Sequence, residues 1–251
     1  MIIHKFRSFV PSFLRSFFVF VKTRNIQILI KNKTFCGDGI LTSNYLPWES
    51  DINLLDAYNL SFENIPAKYK TVRSMQFRAH IVTFCAHMAQ GVKGDYIELG
   101  TWYGVLAKTI CNQPELVTGR NFYLVDPFGM PGFKMKGKYK TGSYEEDIFE
   151  IVRYRFRNDS CVKLIRGVVP EILSSIPVDK VAFLLIDMNH GEPEIQGLEF
   201  FWNKIPSGGI VYFDDYGQNF PELRKHIDLF LESKKERILV FPTGQAILIK
   251  M

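Results

Sequence analysis

Three acidic residues stand where apolar runs stop. Val181–Ile186 is followed by Asp187, and Ile210–Phe213 is followed by the pair Asp214–Asp215. Carboxylates brought together by neighbouring strands repel unless protons or a cation neutralise them. Ligands that are all oxygen, with room for water, suit Mg²⁺. A cation held there would bind a hydroxyl, lower its pKa and fix its oxygen in line with an electrophile. One acid alone at such a turn reads as a helix cap; Asp187 with the doublet favours the metal reading.

A second group lies earlier, in Glu98-Leu99-Gly100-Thr101-Trp102-Tyr103-Gly104. Gly100 lets backbone pass close to a ligand, and the amides of Thr101 to Gly104, opening a helix, suit an anionic group. Glu98 is placed to anchor an amino group or the loop itself, and Trp102 and Tyr103 to line a pocket. Asp126 ends the next apolar run, where a carboxylate accepts hydrogen bonds from a ribose diol. The third glycine of the dinucleotide pattern is missing, which argues against a nicotinamide enzyme.

The elements needed to position these residues can be read from hydrophobic pattern. Short apolar runs at 96–99, 122–125, 162–165, 181–186 and 210–213 alternate with expected helices at about 103–112, 144–157, 169–175, 193–204 and 220–233. That alternation predicts a parallel sheet covered on both faces. A helix over Ser74–Gln90 leads into it, with Met75, Phe77, Ile81, Val82, Phe84, Cys85 and Met88 as its apolar positions. Arg237–Phe241 and Ala246–Ile249, joined by Pro242-Thr243-Gly244-Gln245, predict a closing antiparallel hairpin. The expected fold is therefore Rossmann-like α/β: a doubly wound, seven-stranded, mostly parallel sheet of the class I methyltransferase type, in which S-adenosylmethionine occupies the Glu98–Gly104 turn.

The chain of 251 residues, 47% hydrophobic, can bury one substantial core. The expected division is an N-terminal basic and aromatic extension with loops over 1–70, then a methyltransferase domain over 71–251. Residues 1–33 hold seven Lys or Arg and no acid, so the overall charge of +5 belongs to this arm and gives no support to a nucleic-acid-binding core. The longest apolar run in the arm, Phe17–Val21, is far short of a membrane span. Contact with an anionic membrane surface is one reading of the arm; packing at an oligomer interface or over the active site is another. Cys36, Cys85, Cys111 and Cys161 show no metal-ligand or disulfide pattern, which fits a cytoplasmic protein. Phe128–Lys140, with three glycines and four lysines, reads as a lid over the site or as a solvated loop.

From about Gly94 to Lys250 the chain resembles the macrocin O-methyltransferase family. The resemblance rests on Leu185-Ile186-Asp187, on Pro193-Glu194 with Leu198-Glu199, and on Ile205-Pro206-Ser207-Gly208-Gly209-Ile210-Val211-Tyr212-Phe213-Asp214-Asp215-Tyr216-Gly217. Asp126-Pro127-Phe128-Gly129 and the Gly167 region extend it. It implies Mg²⁺-dependent methylation of a sugar or glycoside hydroxyl in a homo-oligomer. It also implies Asp187, Asp214 and Asp215 as metal ligands, Asp187 as a base, and Gly167 at the cofactor site. Where that family has a second acid this chain has Asn189, whose amide ligates or orients but takes no proton. His190 is then a second base, at the offset where the more distant catechol O-methyltransferase group places a lysine. Two alternatives remain: a catechol-like small-molecule O-methyltransferase, and a non-catalytic nucleotide-binding or assembly module.

Overall fold

The computed structural model describes residues 35–67, 75–131, 146–217 and 221–251. The expected lid over 128–140 therefore falls mostly outside the described residues, and the basic arm over 1–33 wholly so. A small hairpin of β1 (Phe35–Gly37) and β2 (Ile40–Thr42) comes first, followed by α1 (Ile52–Leu60) and α2 (Gln76–Ala89). Strands and helices then alternate: β3 (Asp95–Leu99), α3 (Val105–Cys111), β4 (Phe122–Asp126), α4 (Phe149–Arg155), β5 (Val162–Arg166), β6 (Val181–Ile186), α5 (Gly191–Trp202), β7 (Ile210–Phe213) and α6 (Pro221–Leu231). The closing antiparallel pair is β8 (Ile238–Val240) and β9 (Ala246–Ile249).

The sheet order is β5-β4-β3-β6-β7-β9-β8, and strands β3 to β7 are parallel. The chain winds outward from β3 through β4 to β5, then crosses back to β6 on the other side of β3. Such a reversal opens a crevice at the carboxyl ends of the two central strands, where doubly wound sheets bind ligands. The expected architecture, closing hairpin included, is the observed one.

Side-chain alternation divides the core into two layers. Tyr96, Phe122, Leu124, Phe183 and Leu185 pack beneath α2, α3 and α4, while Ile97, Leu99, Val125, Leu184, Ile186 and Val211 pack beneath α5 and α6. Strands covered on both faces have no polar side, so β6 is buried at every position. Gly197 lets α5 lie close on β3, since a β-carbon there would stand 2.5 Å from a Leu99 methyl.

Three local expectations differ. Phe84 and Met88 on α2 point outward, 53% and 51% exposed, while Arg78 points inward with Val82, Cys85 and Ala89. The expected helix over 169–175 is only a short 3-10 turn, Leu173–Ser175; a segment this short recovers little of its nucleation cost. The region before residue 70 contains the β1–β2 hairpin, whose strands are too short to show alternation. Its aromatic residues form a small core on α2, with Phe35, Trp48 and Phe77 packed edge to face at centroid distances of 4.7 to 5.2 Å. Among the described residues no helix is long and apolar enough to cross a membrane.

Arg155, at the end of α4, joins this N-terminal region to the turn after β3. It donates to the carbonyls of Tyr103 at 2.8 Å, Ser61 at 2.7 Å and Glu63. Burial pushes its pKa down to about 10, against the pull of Asp159 and Glu63. Arg155→Met removes the donors of three carbonyls at once and should cost about 3 kcal/mol or more of stability in urea unfolding. Arg155→Lys should recover only part of that, because one ammonium lacks the planar fork that spans them.

Candidate active site

At the carboxyl ends of the strands, each residue just past a strand donates its amide to the neighbouring strand. Gly167 N–H reaches Asp126 O at 3.1 Å, Gly100 reaches Val125 O at 2.9 Å, Asp187 reaches Leu99 O at 2.8 Å, and Asp214 reaches Ile186 O at 3.0 Å. This row fixes where the turns leave the sheet and brings the expected acids to one edge. Gly100 has φ +89°, and a β-carbon there would lie 1.9 Å from the Asp187 carbonyl oxygen. The Glu98–Gly104 turn and the Asp187 turn thus touch through bare backbone. Gly104, at φ +69°, caps the start of α3 where a β-carbon would meet the Phe156 ring at 2.7 Å.

Asp126 is buried, and its carboxylate accepts the amides of Trp102 at 2.8 Å and Phe128 at 2.5 Å. The residue that was expected to receive a ribose diol also clamps the two turns on either side of it; a carboxylate offers about four lone-pair sites for both tasks. Thr101 and Tyr103 are buried as well. The Tyr103 side chain is only 1% exposed and packs in the layer under α2, α3 and α4, so it supports the turn from below. Gly167 sits beside Asp126, with Ile172 packed where its side chain would be. Glu98 is 2% exposed, and its Oε2 lacks a hydrogen-bond partner. Burial raises its carboxyl well above the ordinary range; Thr101 pulls the other way, and Asp126 and Asp214 add to the rise.

Asp187, Asp214 and Asp215 each bring a carboxylate oxygen within 4.8 Å of the others. A six-coordinate cation with bonds of about 2.1 Å spaces its ligand oxygens by about 3 to 4.2 Å, so this all-oxygen set fits Mg²⁺. Asp187 is half-buried; burial, then Asp214 and Asp215, push its carboxyl well upward against the pull of Arg78. Asn189, at φ +55°, donates to Asp187 Oδ1 at 3.2 Å. His190 is the residue before α5, on the same turn.

Two residues of this site were given no role from sequence. Arg78 donates to Asp214 and makes a two-pronged ion pair with Asp38, at 2.7 to 2.9 Å, in the β1–β2 turn. Burial works against its charge, but Asp214 and Asp38 outweigh it and raise its pKa. The available signal was its helical spacing from Val82, Cys85 and Ala89, which puts a cation on the buried face. Glu194, 1% exposed in the first turn of α5, accepts the amides of Met188 at 3.2 Å and His190 at 3.3 Å. It shapes the loop carrying Asp187, and burial followed by Asp215 raises its carboxyl well above the usual range. Tyr212 completes the surroundings, donating to Asp214 Oδ1 at 2.7 Å.

A doubly wound sheet with a reversed final strand, holding a glycine turn and three acids across its switch point, defines a class I methyltransferase fold. Residues 71–238 match the macrocin O-methyltransferase family model, and the chain belongs to that family of O-methyltransferases. A curated relative, demethyldecarbamoylnovobiocin O-methyltransferase of Streptomyces niveus, is 28% identical over 145 residues; the match spans 51% of this chain and about half (55%) of the relative. Among solved structures, the O-methyltransferase NovP superposes with a TM-score of 0.59 at 22% identity, covering 69% of this chain and 79% of NovP. A calicheamicin-pathway TDP-rhamnose 3'-O-methyltransferase superposes with a TM-score of 0.54 at 18% identity, covering 82% of this chain and 96% of the other.

Arg78→Met should cost about 3–5 kcal/mol in urea unfolding, because two buried carboxylates lose their counter-ion; a loss under about 1 kcal/mol would show the pairing to be incidental. Glu194→Gln keeps an oxygen for the two amides and removes the ionisable group. The folded-state pKa of Glu194 is raised, so above the ordinary value of 4.5 the folded chain binds more protons than the unfolded one, and stability falls as pH rises through that window. Glu98 and Asp187 act with the same sign. In melting curves taken from pH 5 to 8 without divalent cation, Glu194→Gln should reduce the downward slope without abolishing it; an unchanged slope refutes the assignment.

Proposed function

We propose that this protein methylates a hydroxyl of a sugar or glycosylated small molecule, with S-adenosylmethionine as donor and Mg²⁺ as assistant. The observation that carries the reading is the gathering of Asp187, Asp214 and Asp215 against the Gly100 turn, as a cation site beside a donor site would require. Family membership supports O-methylation, and the novobiocin and TDP-rhamnose relatives point toward a sugar-bearing acceptor. When bound, the donor supplies a methyl group on a sulfonium and the cation supplies positive charge against the acceptor oxygen.

The chain's own residues divide the remaining work. The Thr101–Gly104 amides and Gly100 backbone receive the donor's carboxylate end, and Glu98 faces its amino group. Asp126 takes the ribose hydroxyls, with Gly167 closing the site beside it. Asp187, Asp214 and Asp215 hold the cation. Methylating a hydroxyl releases one proton, which needs an acceptor nearby. Asp187 is one such acceptor, through a carboxylate oxygen that the cation does not take, and Asn189 steadies it through Oδ1. His190, on the same turn, is a second candidate acceptor.

Calorimetry of the chain with S-adenosylmethionine, with and without Mg²⁺, tests the reading. Binding of the donor is expected, and its absence would overturn the function. With an acceptor glycoside in hand, Asp214→Asn should lower kcat/KM by about 100-fold or more and remove the dependence on Mg²⁺. Unchanged Mg²⁺ dependence in that variant would overturn the metal assignment alone.

A further inference from the structure

At the opposite edge of the sheet, away from the acids, the geometry points to a modification site: Cys111 and Cys161 form a dithiol that closes into an intramolecular disulfide on meeting a small-molecule disulfide. Helix α3 starts at the glycine turn and runs back across the sheet, so its last residue, Cys111, reaches the amino ends of the strands. Cys161 immediately precedes β5, and its carbonyl accepts the amide of Phe122, the first residue of β4, at 2.9 Å. The two thiols are neighbours, each the largest influence on the other's acidity. Both line a cavity of about 550 Å³ whose wall includes Pro114, Thr118, Arg120 and Asp159. The Lys108–Asp159 ion pair, at 2.6 Å, stands beside them.

The two sulfurs are unequal in the way an attacking and a resolving thiol need to be. Cys161 is half-buried at the cavity, whereas Cys111 is buried. The proton shared with Cys111 draws the Cys161 thiol down to about 7 despite burial, and the same contact raises Cys111. A thiol of that acidity combines a large thiolate fraction at neutral pH with good nucleophilicity. Cys85 lacks these conditions, since burial alone pushes it up to about 12.

The exchange balances with a glutathione-like disulfide as oxidant. Cys161 thiolate attacks one sulfur of that disulfide, forms a mixed disulfide and expels one thiolate. Cys111 passes its proton to the expelled thiolate, attacks the Cys161 sulfur and expels a second thiolate, which takes up the proton that Cys161 released on ionising. The two protein thiols lose two electrons, and one small disulfide becomes two thiols. The product ties the end of α3 to the start of β5 and leaves the acid edge untouched, so the inference stands apart from the proposed methyl transfer.

The test is peptide mapping by mass spectrometry, without reductant, of the full chain equilibrated in graded ratios of oxidised to reduced glutathione. A Cys111–Cys161 linked peptide should grow with the ratio and disappear on adding dithiothreitol. Cys111→Ser should stop at a Cys161–glutathione mixed disulfide, and Cys161→Ser should leave Cys111 unmodified. Either persistent glutathionylation of Cys161 in the unsubstituted chain, or no modification of either cysteine in the most oxidising buffer, would overturn the proposal. S-adenosylmethionine binding, measured alongside, should be the same in the oxidised and reduced forms.

Discussion

Crowded negative charge at the carboxyl edge of the sheet is the constraint on which the rest of the structure depends. Glu98, Asp187, Glu194, Asp214 and Asp215 share a small, largely buried volume. Two unit charges about 4 Å apart interact by about 4 kcal/mol at an effective dielectric of 20, a large fraction of the 5–15 kcal/mol by which a domain is stable. The fold meets this with protonation, with one buried guanidinium and with backbone amides. The raised carboxyls of Glu98, Asp187 and Glu194 and the two-sided pairing of Arg78 are answers to one problem. Repulsion of this kind is what a bound cation relieves.

The backbone carries that arrangement. After β3, β4 and β6 the chain turns out of the sheet through Trp102, Phe128 and Asn189, all non-glycine residues with φ near +50°. Left-handed conformations of this kind persist where surrounding contacts over-determine them. Here the amide row across the strand ends, the Asp126 carboxylate and the Glu194 carboxylate supply those contacts. Gly100 then allows two turns to meet where any side chain would hold them apart.

Much of this was legible in the chain itself. Continuous apolar runs marked the parallel strands because both faces are covered, and an acid or glycine after each run marked the carboxyl edge where the turns leave the sheet. The closing hairpin was legible because its turn residues separate two apolar runs cleanly. Arg78 escaped because the outward-facing Phe84 and Met88 made the helix face look different from the one that is buried. Glu194 escaped because an acid in the first turn of a helix ordinarily needs no further explanation. Its two amide partners depend on how the Asp187 loop folds back, which no local pattern encodes. The Cys111–Cys161 contact joins a helix end to a strand start across the sheet, a tertiary fact invisible in their spacing.

Asp38 lies in a hairpin turn outside the stretch that matches the family model, yet it grips the same guanidinium that neutralises Asp214. The stretch that matches the family therefore does not contain its own electrostatic balance: part of the neutralisation of the acid edge is anchored in a peripheral hairpin that lies before it. Descent and charge draw different borders around this protein, and a chimaera cut along the first would sever the second.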